Sequence, residues 1–229
     1  MIIGGLQKLS TIDFPGYISC VIFCMGCNMD CFYCHNRKLI NFDSKMQISE
    51  KEIFKFLENR VDLIEGVVIS GGEPTLQKDL IDFIKKIKNF GYKIKVDTNG
   101  LRPQIIKELL PHLDYLAVDI KATSNDYSKV CHSSIDSFKY VAETINLLLK
   151  SKVDFEGRTT MYPGMTIEDL INILRSIPPL PRYRLNFYNK PFLYKRKDEA
   201  YINMKSLTKE DVFADIKRLL LYQPNLIIP

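Results

Sequence analysis

A chain of 229 residues, 46% hydrophobic and 26% charged, is long enough to bury a substantial core and too apolar to be disordered. Its 32 basic and 27 acidic side chains are too evenly matched for a nucleic-acid binder, and the dense basic run Lys195, Arg196 and Lys197 is followed at once by Asp198 and Glu199. No apolar run reaches the ~18 residues of a membrane span, and Met1 to Gly5 has no signal-peptide character, so a cytoplasmic location is expected, where cysteines serve as metal ligands or buried thiols.

Ile2 to Ile12 predicts a short hairpin ahead of the main repeat. Tyr17 to Cys24 then reads as a strand, with Ile18, Val21, Ile22 and Phe23 in a nearly unbroken apolar run. Ser49, with Glu52 three residues on, predicts a capped helix to about Asn59. Val67-Val68-Ile69 is a short buried strand. Leu76 to Phe90 is an amphipathic helix striped by Leu76, Leu80, Phe83, Ile84 and Ile87 and closed by Gly91. Tyr92 to Asp97 is the next strand, turned by Asn99-Gly100, before a helix from Pro103 to Leu110. Tyr115 to Ile120 is a strand, a helix covers about Ser134 to Lys150, and Val153 to Met161 is a strand again. Ile167 to Ser176 is a helix stopped by Pro178-Pro179, Tyr183 to Tyr188 a strand, and about Thr208 to Tyr222 a last helix.

Strands apolar on both faces that alternate with helices are what a parallel sheet covered by helices requires. About six such units fall short of the eight that close a barrel. An α/β fold with an open, partial (β/α)6 TIM-like barrel is therefore expected, and a doubly wound sheet is the runner-up. The chain, 1–229, is expected to form a single domain, with 17–190 as the β/α core and 191–229 as a C-terminal loop and helix. In either fold the chemistry belongs at the C-terminal ends of the strands.

The unusual polar residues fall at those ends. After the first strand come Cys27, Cys31 and Cys34, spaced C-x₃-C-x₂-C. Each iron of a four-iron cluster usually takes one thiolate, so three leave one iron open for chemistry. The alternative is a zinc knuckle completed by His35 or Cys24, which leaves the next motif unexplained. That motif is Ser70-Gly71-Gly72-Glu73-Pro74, where the glycines allow close backbone approach to a ligand or simply make a tight turn. Asp97-Thr98-Asn99-Gly100, Asp119-Ile120-Lys121, Arg158, and Asn186 with Asn189 follow the later strands. Two carboxylates and a lysine there are costly to bury unpaired. Cys20, Cys24 and Cys131 read as buried thiols.

The cysteine trio with Tyr33 before its last member, together with Gly71-Gly72-Glu73-Pro74, resembles the two motifs of the radical S-adenosylmethionine (SAM) superfamily. Gly4-Gly5-Leu6-Gln7-Lys8, Asp13-Phe14-Pro15-Gly16, Gly26-Cys27-Asn28 and Cys34-His35-Asn36 narrow the resemblance to the anaerobic ribonucleoside-triphosphate reductase activating proteins, relatives of the pyruvate formate-lyase activating enzymes. The likeness is strongest in the first half and weakest after about Arg182.

The resemblance implies a radical SAM barrel that carries a [4Fe–4S] cluster on Cys27, Cys31 and Cys34. SAM would chelate the open iron and be cleaved reductively to a 5′-deoxyadenosyl radical, the cofactors doing the hard chemistry. It implies backbone at Gly71 and Gly72 against the SAM amino group and Glu73 near the amino or sulfonium group. Asp97, Thr98, Asp119 and Lys121 would surround the carboxylate and ribose, with room for a monovalent cation. Arg158 is the candidate carboxylate fork. Tyr33, Cys34 and His35 would lie against adenine, and Asn186 or Asn189 would cap adenine or ribose. The implied activity is that of an oxidoreductase making a glycyl radical on a partner enzyme, an anaerobic ribonucleotide reductase or a relative. Reduced flavodoxin or ferredoxin is the implied donor, with no nucleic acid or membrane involved. Alternatives are a radical SAM enzyme for a small molecule, resembling 7-carboxy-7-deazaguanine synthase, and a non-catalytic metal-binding module.

Overall fold

The computed structural model describes residues 1–133 and 137–229. β1 (Ile3–Ser10) is a single strand, so the hairpin expected within Ile2 to Ile12 does not form; it pairs antiparallel instead with β2 (Ser19–Cys24), the first strand of the repeat. Beside β2 lie β3 (Gly66–Gly71), β4 (Lys93–Thr98), β5 (Tyr115–Asp119), β6 (Asp154–Met161) and β7 (Tyr183–Phe187), every neighbour parallel. A two-residue β8 (Leu226–Ile227) adds to β7. Spatial order equals chain order throughout. Every crossover therefore steps the same way, as in a barrel, whereas a doubly wound sheet reverses at its switch point. β1 and β8 are the two edges, so the barrel is partial and open at the side.

The helices form for the reasons legible in their sequence. α1 (Glu50–Glu58) begins with Ser49 and Glu52 capping one another's backbone. α2 (Leu80–Lys88) buries Leu80, Phe83, Ile84 and Ile87, and Gly91 beyond it takes φ +89°. α3 (Pro103–Leu109) has its proline in the first turn. A short α4 (Tyr127–Cys131) was not expected. α5 (Ser137–Leu149) occupies most of the helix expected from Ser134, and residues 134–136 lie outside those described. α6 (Ile167–Arg175) has a reciprocal Thr166–Asp169 cap. After β7 come α7 (Glu199–Ile202), α8 (Lys209–Ala214) and α9 (Ile216–Leu220). The single helix expected over 208–222 is thus two, broken at Asp215, whose φ of −108° and ψ of 11° leave the helical region. Aspartate competes for nearby backbone groups and is a weak helix former.

The two faces of the sheet have different fates. Cys20, Ile22, Cys24, Val67, Ile69, Ile94, Val96, Leu116 and Val118 face the helices in one large core. Cys20 and Cys24 are fully buried there, as expected of structural thiols. The inner face starts with a small apolar cluster of Phe14, Val21, Val68 and Tyr115. Phe14 presses on Gly66, the first residue of β3, where a Cβ would come within 2.6 Å of its ring. The Asp13-Phe14-Pro15-Gly16 segment thereby plugs the lumen at the N-terminal ends of the strands. Beyond this plug the inner face becomes charged, at Lys95, Asp97, Asp119 and Arg158. That change places a polar floor under the C-terminal ends.

Candidate active site

A cavity of about 690 Å³ opens over that floor. Cys27, Cys31 and Cys34 share one wall, and Gly71, Gly72, Glu73 and Thr98 line the adjoining one. Asp97, Asp119, Lys121 and Arg158 are also at its surface, as are Tyr33, His35, Asn186 and Asn189. Every residue expected at the site from the sequence therefore meets in one place. Three from the N-terminal segment, Gln7, Ile12 and Asp13, join them and were not expected there. The cavity thus runs from the cysteine loop to the side opening beside β1.

The cysteine loop is held by its neighbours rather than by regular structure. Gly26 N–H donates to Leu39 O at 2.8 Å and Cys27 N–H to Ile40 O at 3.1 Å. Asp30 N–H donates to Cys131 O at 3.0 Å and Phe32 N–H to Val130 O at 3.2 Å, so α4 serves as the loop's other bank. Arg37 donates to Asp30 at 2.7 Å and to Cys31 O at 2.6 Å, and Lys195 also pairs with Asp30. Burial pushes the Cys27 thiol up to about 12 and raises Cys34 as well. Cys31 moves the other way, because a hydrogen bond from the Cys131 thiol outweighs its burial.

Gly71 and Gly72 are required by packing against this loop. Gly71 has φ +115°, and a Cβ there would lie 2.3 Å from Cys24 N. A Cβ on Gly72 would lie 2.1 Å from Gly26 O. The turn reading of these glycines is therefore met, and their backbone also lines the cavity. Glu73 is buried, and its Oε1 accepts from Thr75 N–H at 3.0 Å and from the Thr75 and Thr98 hydroxyls at 2.7 Å each. Its Oε2 accepts from Asn99 N–H at 2.7 Å. Burial raises this carboxyl above its ordinary value, against the pull of those donors.

The floor is a chain of alternating charges. Lys95 Nζ lies 2.9 Å from Asp97, Arg158 reaches Asp97 and Asp119 at 3.0 Å each, and Lys121 Nζ meets Asp119 at 3.0 Å. Burial works to raise the Asp119 carboxyl, but the Lys121 and Arg158 charges beside it prevail and hold it at about 2. Asp97 is lowered in the same way by Arg158 and Lys95. The Arg158 fork expected for a ligand carboxylate is therefore closed on two of the protein's own. The carboxylates that could have served a monovalent cation are likewise committed to three cationic side chains. Three cations against two carboxylates leave one positive charge in excess, and Lys121 brings it to the cavity. Lys95, only 1% exposed, was missed in the sequence, although period-2 alternation puts it on the same face as Asp97.

Tyr33 stacks on Tyr162 at 5.4 Å and meets Phe32 edge-on at 5.3 Å, so one ring face is already covered by protein. Its Oη is buried without a hydrogen-bond partner. His35 and Asn189 are exposed at the rim. Cys24, which a zinc knuckle would need, is turned into the core and lies off the cavity wall. Among the described residues no three His, Cys, Asp or Glu side chains converge on a point that one metal ion could occupy. Three soft thiol donors spread along one wall suit a multi-iron cluster, each iron taking its own cysteine. The bare backbone at Gly71 and Gly72 leaves polar surface for a second group beside it.

Comparison with known proteins gives the same answer. Residues 21–177 match the model of the radical SAM superfamily. The chain is 34% identical over 227 residues to MJ1227 of Methanocaldococcus jannaschii, assigned as a glycyl-radical enzyme activating enzyme, covering 95% of this chain and 91% of that protein. It is 30% identical over 201 residues to the pyruvate formate-lyase-activating enzyme of Clostridium pasteurianum, covering 82% of each. Streptococcus suis SuiB bound to S-adenosylmethionine shares the fold with a TM-score of 0.60 at 19% identity, over 91% of this chain and 49% of SuiB. No helix among the described residues is long and apolar enough to cross a membrane. The chain belongs to the radical SAM superfamily, within its glycyl-radical enzyme activating branch, whose cofactors are S-adenosylmethionine and a [4Fe–4S] cluster.

Proposed function

We propose that this chain generates a glycyl radical on a partner enzyme, and that the partner is an anaerobic ribonucleoside-triphosphate reductase. The observation that carries the reading is the meeting of three thiols, a glycine-lined backbone edge and a charged floor around one cavity that is open toward β1. A lateral opening suits a substrate that is itself a segment of protein.

Cys27, Cys31 and Cys34 would hold the cluster, which when bound supplies the electron that cleaves the SAM sulfonium. The backbone at Gly71 and Gly72 would face the SAM amino group. Glu73 orients that edge through Thr98 and Asn99. Lys121, which lines the cavity and carries the surplus charge of the floor, would meet the SAM carboxylate. Asp97, Asp119 and Arg158 fix Lys121 and one another, which is positioning work. Tyr33 and Asn186 or Asn189 would border the nucleoside. Reduced flavodoxin or ferredoxin is the proposed electron donor.

The test is electron paramagnetic resonance of reduced protein mixed anaerobically with SAM and a candidate reductase. A glycine-centred doublet on the reductase is the expected result. SAM cleavage without such a signal on any glycyl-radical enzyme of the same genome would remove the activase reading. A Cys31→Ser variant should lose SAM cleavage while keeping its helical content, and retained cleavage would count against the ligand assignment.

A further inference from the structure

One cysteine of the site has no part in that function. Cys131 ends α4, is fully buried, and lies off the cavity wall. Two backbone hydrogen bonds, Asp30 N–H to Cys131 O and Phe32 N–H to Val130 O, fix its segment on either side of Cys31. These bonds pair the Asp30–Phe32 stretch with the Val130–Cys131 end of α4, so Cys31 and Cys131 occupy facing positions of two joined segments. Cys31 itself lines the cavity and is the member of the pair that a small oxidant reaches first.

We infer that Cys131 is a resolving cysteine for Cys31: when the cluster is absent, peroxide entering the cavity drives the two into a disulfide that preserves Cys31 for later reduction. The Cys31 sulfur attacks one oxygen of hydrogen peroxide. An S–O bond forms, the O–O bond breaks, and hydroxide leaves as water after taking a proton. The Cys131 sulfur then attacks the Cys31 sulfur. The S–S bond forms, the S–O bond breaks, and the departing hydroxide takes the Cys131 proton as a second water. Two thiols and one peroxide thus give one disulfide and two waters. Without a neighbour to intercept it, a sulfenic acid proceeds to sulfinic and sulfonic acids, which thiol reductants do not reverse.

The experiment uses the whole chain without its cluster, so it is independent of the partner enzyme. Apo-protein is treated with a several-fold molar excess of hydrogen peroxide, digested without reduction and mapped by mass spectrometry. The expected product links the Cys131 peptide to the Cys31 peptide, with fragmentation placing the bond at Cys31. In Cys131→Ser, Cys31 should instead carry two or three added oxygens. After thiol reduction, iron uptake should return to the untreated level in the wild type and stay about 5-fold lower or worse in the variant, as irreversible oxidation requires. Circular dichroism of Cys131→Ser and Cys131→Ala checks that they fold, and the wild-type map decides the matter even if they do not. A Cys131 peptide left unlinked, or a Cys31 bond to Cys27 or Cys34 instead, would overturn the inference.

Discussion

Glu73 accepts the backbone N–H of Asn99 at 2.7 Å, joining the loop after β3 to the loop after β4. The other oxygen of the same carboxylate takes three donors, so its acceptor capacity is used on protein. Glu73→Gln would place an amide NH₂ against one of these donors. A buried donor without an acceptor costs about 1–3 kcal/mol. We expect a loss of that order in urea unfolding, with weaker SAM binding by calorimetry, and an unchanged unfolding midpoint would show that the carboxylate's bonds contribute little.

Arg158 bridges two carboxylates in a floor that carries one positive charge in excess. Removing one partner of a buried ion network costs up to about 3–5 kcal/mol, and without Arg158 each carboxylate keeps only one cation, Lys95 for Asp97 and Lys121 for Asp119. Arg158→Ala should therefore be strongly destabilised, whereas its replacement by lysine should recover only part, lacking the planar fork. A variant as stable as the parent in chemical denaturation would contradict this.

Acidification tests the same floor in the parent. Asp119 is held at about 2 in the fold against an ordinary 3.8. A carboxyl depressed in the folded state stabilises above its unfolded value, and that contribution fades as pH falls through the folded one. Unfolding free energy should therefore decline between about pH 4 and pH 2. In Arg158→Ala, where Asp119 has lost one of its two cations, that decline should be shallower.

Gly72→Ala would place a methyl group 2.1 Å from Gly26 O, where the loop cannot retreat without releasing the cysteine wall. Overpacking of this kind costs about 1–3 kcal/mol, and the damage is directed at the site. We expect reduced iron incorporation on reconstitution. Gly91→Ala, strained by its φ of +89° but remote from the cysteine loop, is the control that should keep full loading.

Phe14→Ala would empty the plug between Gly66, Val68 and Tyr115. Truncating a buried phenylalanine costs about 3–5 kcal/mol. A thermal midpoint close to that of the parent would mean that the segment is ornamental to the barrel.

The strands were legible because burial on both faces writes unbroken apolar runs such as Val67-Val68-Ile69, and their C-terminal loops named the site. What escaped reading was decided by tertiary geometry. Lys95 sits in the middle of a buried strand, where a lysine reads as a misfit until its carboxylate partner is seen. Gln7, Ile12 and Asp13 reach the cavity because the sheet curls, which no local pattern reports. Tyr162 meets Tyr33 across 129 positions of chain. α4 and β8 are too short for periodicity to announce, and they exist through the neighbours they bond. The motif around Asp13 and Phe14 supported the family resemblance, yet its physical work as a floor plug had no signature of its own.

That plug has a consequence for synthesis. Asp13 offers its carbonyl to the Lys95 ammonium, a residue 82 positions later. At translation speeds of ~5–20 residues per second, the plug leaves the ribosome roughly 4–16 s before its receiving lysine. Until then an aromatic, proline-turned segment stays unsheltered on the nascent polypeptide. The segment is thus made well before its seat, which is complete only once Tyr115 has been added.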